Sequence, residues 1–172
     1  MKLTSILALT IMLAASGDSM AQKQVAKSQN STIKFVKHEA DKKVDVLIDG
    51  KFFTSYWWPD TVYKPILYPL LTALGTPVTR GFPVTPREGE RRDHIHQVGN
   101  WLNYGNVNGL DFWGNGSEGK RNVNGGQIKH ISIEKLSGGI GEGSMITNAE
   151  WVGPDGKRLI AERTEFHFIA NG

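Results

Sequence analysis

The sequence predicts an all-β fold, an antiparallel β-sandwich. Apolar and polar residues alternate with a period of two over several short segments, as in half-buried strands. The 172 residues include 20 glycines and 7 prolines, which favour many turns. After the N-terminal region no segment carries a convincing apolar stripe of helical period. We therefore expect about seven or eight short antiparallel strands in two packed sheets.

The first 21 residues have the composition of an export signal. Lys2 supplies a positive charge, residues 3–15 are apolar, and Ser19 and Ala21 place small residues at the −3 and −1 positions of a cleavage site. The apolar run of about 13 residues is shorter than the roughly 18 to 20 that cross a bilayer. We expect cleavage after Ala21, a periplasmic or extracellular bacterial protein, and no stable membrane span after cleavage.

The rest of the chain is expected to form a flexible, lysine-rich leader over residues 22–32 and one β-sandwich domain over residues 33–172. The chain has no cysteine, which excludes disulfides and thiolate metal ligands. The net charge of +3 and the pI of about 9.1 come largely from lysines scattered between Lys23 and Lys43. Because no dense basic patch is interleaved with aromatic residues, nucleic acid is not expected as a partner.

The first strands follow the leader directly. Ile33 and Phe35 alternate with polar residues, and residues 39–42 should form the next turn. Asp49-Gly50 separates two alternating runs, and a glycine in a two-residue loop relieves the cost of a positive φ. A hairpin is therefore predicted here.

Proline and glycine residues limit and separate the later strands. Residues 64–72 form an apolar run whose two prolines remove backbone donors, so an edge strand or an irregular crossing segment is expected. Residues 114–126 should form a mobile, glycine-rich loop. Strands are predicted over residues 127–136, 145–152 and 158–169. In the strand predicted over residues 127–136, Ile131 and Ile133 are expected on one face. The other face is expected to carry Ile128, His130, Ser132 and Glu134.

Residues 80–113 are the candidate site, and Asp93-His94-Ile95-His96 is their sharpest motif. If this motif is extended, His94 and His96 project from one face and can ligate one metal ion. His130 and Glu134 are candidates for the remaining ligands. A set of His and carboxylate ligands suits a catalytic divalent metal ion with open positions.

The same histidines can instead transfer protons. Imidazole titrates near neutral pH, and a neighbouring carboxylate such as Asp93, Glu88 or Glu90 can orient it. A hydrogen-bonding pair with no catalytic role is a third interpretation of His94 and His96.

Aromatic and amide side chains follow the histidines. An indole packs against the C–H face of a sugar while amides and carboxylates bond its hydroxyl groups. At least one of the two indoles is expected in the core by size and apolarity. Arg80 could clamp a ligand carboxylate or tie its own loop. The expected wall consists of Trp101, Asn103, Tyr104, Asn106, Asn108, Asp111 and Trp113.

Four motifs in chain order, from about residue 44 to the C-terminus, resemble the bacterial family labelled "methane oxygenase PmoA". They are Lys64-Pro65-Ile66-Leu67-Tyr68-Pro69-Leu70, Gly75-Thr76-Pro77-Val78-Thr79-Arg80-Gly81, Arg92-Asp93-His94-Ile95-His96 and Asn108-Gly109-Leu110-Asp111-Phe112-Trp113.

The resemblance implies a large β-sandwich similar to aldose epimerases (a supersandwich), in secreted proteins of bacteria that degrade complex carbohydrate. The family's pattern is similar to Asp-His-Pro-His-His, whereas Ile95 and Gln97 stand at its proline and last histidine. Family members are nearly twice as long, so a short or C-terminally truncated member is expected.

Three hypotheses of function remain open. The first is a secreted protein that binds or acts on a carbohydrate or another small molecule, with His94, His96 and Asp93 as catalytic residues. Its substrate-binding residues would be Arg80, Trp101, Asn103, Asp111 and Trp113. The second is a metal-dependent enzyme of oxygenase type, as the family label implies, with a divalent metal on His94, His96 and His130. The third is a non-catalytic β-sandwich interaction module.

Overall fold

The computed structural model describes residues 31–114 and 124–170, and within them it contains strands and no helix. The strands form two antiparallel sheets that pack face to face, which confirms the predicted all-β sandwich. The eight strands are β1 Thr32–His38, β2 Lys43–Ile48, β3 Lys51–Trp57, β4 Ile66–Leu67, β5 Gln127–Ser137, β6 Gly139–Ile140, β7 Glu142–Val152 and β8 Arg158–Ile169.

The N-terminal boundary of the domain lies slightly earlier than predicted. Thr32 is the first residue of β1, and the buried Ser31 donates a hydrogen bond of 2.8 Å to Asp49. Both were expected in the flexible leader, so the leader was placed too far along the chain. The proposed signal segment and residues 22–30 lie outside the described residues.

The first sheet has the order β4-β3-β2-β1-β6. β2 and β3 are joined by the predicted hairpin, in which Asp49 and Gly50 have φ values of 51° and 74°. These left-handed conformations are the ones that a favoured two-residue hairpin turn requires. β4 lies at the edge of the sheet, which is one of the two predicted alternatives for residues 64–72, although only Ile66 and Leu67 form the strand. Its residue Leu67 exchanges backbone hydrogen bonds of 2.8 and 3.0 Å with Asn100, which brings the candidate segment to this edge.

The second sheet has the order β5-β7-β8. Two irregularities in β5, between His130 and Ser132 and between Ile133 and Lys135, shift its register against β7. A bulge inserts one unpaired residue and so ends the simple alternation of faces. Ile131 is therefore 54% exposed, while Ile133 packs against the core. The prediction that these two share a face along an unbroken strand was wrong.

The main core lies between the two sheets. Val44 and Val46 of β2 face Met145 of β7, and all three are 0% exposed. Burial of this kind is the dominant stabilising term in folding, at about 25 cal/mol for each Å² of apolar surface. The core fixes the separation of the sheets and therefore the position of their edges.

The long connection between β4 and β5 packs against the sandwich through two smaller hydrophobic cores. Val98 packs with Ile66 and Tyr68, and Phe112 packs with Ile128 and Trp151. The segment that carries the candidate site is thus irregular but anchored near both ends. The predicted mobile loop over residues 114–126 lies mostly outside the described residues.

Truncation of the central methionine should destabilise the protein strongly. Met145→Ala removes a fully buried side chain from between the sheets, and we expect a loss of about 2–4 kcal/mol in the free energy of unfolding. Urea denaturation measures it. Leu74→Ala is the control, because Leu74 is 94% exposed and its truncation should change stability by less than about 0.5 kcal/mol. Equal effects of the two substitutions would contradict this packing.

Candidate functional site

The segment from Arg80 to Asp93 is held by polar contacts to its own backbone. Arg80 donates through Nη2 to the carbonyl oxygens of Arg91 and Asp93, the second at 2.9 Å. The Glu90 carboxylate accepts from the Gly81 amide at 2.7 Å. Two roles were considered for Arg80, binding a ligand carboxylate or holding its own loop. The structure shows the second role. Glu90 has a similar structural role and does not orient a histidine.

The two histidines lie in a turn and not in a strand. His94 has a φ of 51°, and its carbonyl accepts a hydrogen bond of 2.9 Å from the Gln97 amide. The expectation of an extended His-x-His motif was therefore wrong, because this local bond closes a turn. The turn nevertheless keeps the imidazoles of His94 and His96 close, with ring centroids 5.6 Å apart.

Asp93 and His94 form a pair at the surface. His94 Nδ1 lies 3.1 Å from Asp93 Oδ2, and Arg91 lies 2.7 Å from the same oxygen. Burial alone would raise the pKa of Asp93, but the hydrogen bond from His94 and the charge of Arg91 outweigh it and lower the pKa. Asp93 is thus an ionised acceptor. A proton on Nδ1 leaves Nε2 as the free basic atom of His94.

Lys64 is the functional candidate that sequence reasoning missed. It is only 4% exposed, and its Nζ donates a hydrogen bond of 2.7 Å to the carbonyl oxygen of His96. The same ammonium group lies 4.4 Å from the centroid of the Trp101 ring. Burial lowers its pKa to about 8, and the charge of Asp111 partly opposes that shift. A sequence signal existed, since Lys64 alternates with Ile66 and so occupies an inward-facing position.

His96 is half-buried beside this lysine. Burial lowers its pKa, and the positive charge of Lys64 lowers it further. Its Nδ1 is buried and has no hydrogen-bond partner among residues 31–114 and 124–170. The imidazole of His96 is therefore neutral at pH 7.

The aromatic wall continues from His96. Trp113 lies 6.2 Å from the His96 ring and 6.1 Å from the Trp101 ring, measured between centroids. Trp113 is 45% exposed, whereas Trp101 packs against the small core around Val98, as expected for one indole of the two. The two indoles line an open groove of about 430 Å³, together with Leu70, Val78, Thr79, Gly99, Asn100, Leu102 and Asn103.

Asn103 and Asp111 position this wall. Asn103 donates through Nδ2 to the carbonyl oxygen of Phe112 at 3.0 Å, and its Oδ1 is buried without a hydrogen-bond partner in the described part of the chain. Asp111 accepts from the Trp113 amide at 2.8 Å and does not line the groove. The structure thus brings both residues to the predicted site, but Asp111 acts by holding the backbone of Trp113.

His130 and Glu134 lie apart from the paired histidines. The His130 ring stacks on Trp58 at a centroid distance of 4.0 Å, and its Nδ1 lies 3.1 Å from the Tyr56 hydroxyl. Glu134 is bonded to Arg163 at 2.8 and 2.9 Å. Within residues 31–114 and 124–170, no three His, Cys, Asp or Glu side chains form a group that could hold a metal ion. The structure therefore does not assemble the proposed ligand set.

Comparison with known proteins gives one match. Residues 43–172 match the model of the family described as "Family of unknown function (DUF6807)", a range that includes strands β2 to β8 and the whole candidate site. No curated protein and no solved structure matches the chain. The resemblance to the methane oxygenase PmoA family stays a prediction. In the described residues, no helix is long and apolar enough to cross a membrane.

Acidification should destabilise the fold through His130. Burial lowers its pKa in the folded protein from 6.5 to about 4. Between these two values the unfolded chain binds more protons than the folded one. The free energy of unfolding should therefore fall as the pH falls through this range, with a slope of at most about 1.4 kcal/mol per pH unit.

Urea denaturation of the wild type and of His130→Gln between about pH 4 and pH 7 measures this effect. The variant should lose part of the wild-type pH dependence, because glutamine does not titrate. His167→Gln is the matched control, since His167 is an exposed histidine on β8. The same pH dependence in the wild type and in His130→Gln would refute the assignment.

Proposed function

We propose that this chain, which belongs to the family of unknown function DUF6807, is a secreted protein that binds a carbohydrate in the open groove beside Trp113. The observation that carries the proposal is the exposed indole of Trp113, held by ring contacts to His96 and Trp101. Large aromatic side chains on a surface mark binding sites when polar groups surround them.

The rigidity of the groove supports sugar binding. The hydrogen bond from the Trp113 backbone amide to the Asp111 carboxylate and the two ring contacts restrain Trp113, so little conformational freedom is lost when a ligand packs on it. Asn100 and Asn103 line the same groove and supply amide groups for hydroxyl recognition.

The paired histidines next to the groove suit proton transfer on a hydroxylated substrate. The ionised Asp93 carboxylate orients His94 through Nδ1 and leaves Nε2 as a base. The neutral His96 lies between His94 and Trp113, within ring contact of both. In this proposal Asp93 positions the base, and the two histidines move the proton.

An open groove suits an extended glycan chain better than a single enclosed sugar, because the chain can leave the groove at either side. That substrate class agrees with the export signal predicted over residues 1–21. The proposed place of action is therefore the bacterial periplasm or the extracellular space.

A non-catalytic interaction module is the second candidate. The observation that favours it is β8, a strand of 12 residues at the edge of its sheet. Long edge strands present unpaired backbone groups that can pair with another chain. Such a module would bind its partner along β8 and would not need the groove.

The proposal predicts that Trp113→Ala weakens sugar binding at least about tenfold, as expected for a central aromatic contact. A glycan array identifies the ligand of the wild type, and a tryptophan-fluorescence titration then measures its dissociation constant. Tyr104→Ala is the control, because Tyr104 is an exposed aromatic residue of the same segment that does not line the groove. Its affinity should match that of the wild type.

Two outcomes would refute the proposal. One is a wild type that binds no sugar on the array or in titration. The other is a Trp113→Ala variant that is folded and binds as tightly as the wild type. His94→Gln separates binding from reaction, since it should retain the ligand and lose any turnover that depends on proton transfer.

A further inference from the structure

A second concavity lies between the two sheets and borders the open groove. Its volume is about 280 Å³, near the lower end of the ~300–1,000 Å³ typical of ligand pockets. One wall comes from β3, β4 and the segment that follows them, and the other from the second sheet. The lining residues are Tyr56, Pro65, Ile66, Leu67, Asn100, Trp101, Leu102, Ile128, Thr147, Glu162, Thr164 and Phe166.

Glu162 is the one charged residue that lines this cleft. Its two carboxylate oxygens accept hydrogen bonds of 2.6 Å from Trp151 Nε1 and from the Thr164 hydroxyl. These two donors are uncharged. They hold the Glu162 carboxylate in place but do not compensate its negative charge. Among the described residues, Glu162 forms no ion pair with a cationic side chain.

The cations on the same strand are directed to other partners. Arg158 pairs with Glu150 at 2.8 Å, and Arg163 pairs with Glu134 at the same distance. A partly buried carboxylate without a counter-ion favours a positive ligand, because a cation recovers the electrostatic energy lost with hydration.

Aromatic rings line the same cleft as the carboxylate. Tyr56 and Phe166 lie 5.6 Å apart between centroids. Trp101 also lines the cleft, but the Lys64 ammonium group already lies 4.4 Å from the centroid of its ring. The faces of such rings carry partial negative charge and attract cations. The Tyr56 phenol remains neutral, since burial raises its pKa. The cleft therefore combines one fixed negative charge with several aromatic rings.

We propose that the inter-sheet cleft binds a compact organic ammonium ion, with the cation against Glu162 and beside the rings of Tyr56 and Phe166. The small volume selects a compact ligand, the carboxylate selects positive charge, and the rings favour an alkylated ammonium over a strongly hydrated metal ion. The cleft and the proposed sugar groove share Asn100, Trp101 and Leu102, but Glu162 lines only the cleft and Trp113 lines only the groove.

The test compares choline with its neutral analogue 3,3-dimethylbutan-1-ol, which has the same shape and no charge. Calorimetric titration of the full chain should show saturable choline binding at least about tenfold tighter than binding of the neutral alcohol. Glu162→Gln should weaken choline binding at least about tenfold while keeping the shape of the side chain. Glu165→Gln is the matched control on an exposed position of β8, and its affinity should equal that of the wild type.

A measurement on the wild type locates the ligand without any substitution. The indole N–H of Trp151 donates to Glu162, so its NMR signal should shift with choline and not with the neutral alcohol. Equal affinity for the two ligands, unchanged choline affinity in a folded Glu162→Gln, or an unshifted Trp151 signal would overturn the proposal. Because no sugar is present, these outcomes are separate from those of the glycan experiment.

Discussion

The ammonium group of Lys64, held between the ring of Trp101 and the carbonyl oxygen of His96, joins the candidate site to the sandwich. Lys64 lies in a bend two residues before the buried Ile66, at the start of the edge strand β4. Its side chain reaches both the histidine turn and the aromatic wall. Burial lowers the pKa of Lys64 to about 8, a shift from 10.5 that disfavours the charged form by about 3 kcal/mol. Groups with perturbed pKa values occur preferentially at functional sites. The lowered pKa of Lys64 therefore supports the interpretation of this segment as a functional site.

The other contacts of the segment complete this attachment. Val98 and Phe112 insert into two small cores, and the backbone of Leu67 pairs with Asn100. Close packing around Phe112 also explains Gly126, where a Cβ would lie 2.3 Å from atoms of the Phe112 ring. A segment without regular secondary structure can therefore present rigid side chains, because its backbone is fixed at several points. Rigid presentation is what the proposed recognition of a ligand by these side chains requires.

The sequence determines the strands more clearly than the site. Alternation predicts the final strand with the bounds that the structure gives it, and Asp49-Gly50 predicts the first hairpin, because both signals are local. The bulges of β5 depend on its pairing with β7 and leave no comparable local mark. The turn at His94 likewise depends on a hydrogen bond within an irregular segment. Asp93, the paired histidines and the two indoles do lie together, whereas His130 was assigned by strand periodicity and lies elsewhere.

The central claim is that a buried Lys64 holds the histidine turn and the aromatic wall together. The most direct measurement is an NMR titration of the Lys64 side chain from about pH 6 to pH 11, followed through its Cε and Nζ signals. The account predicts a midpoint near the pKa of about 8 that burial imposes. A midpoint near the ordinary lysine value of about 10.4 would show a hydrated, exposed amine and would contradict the account.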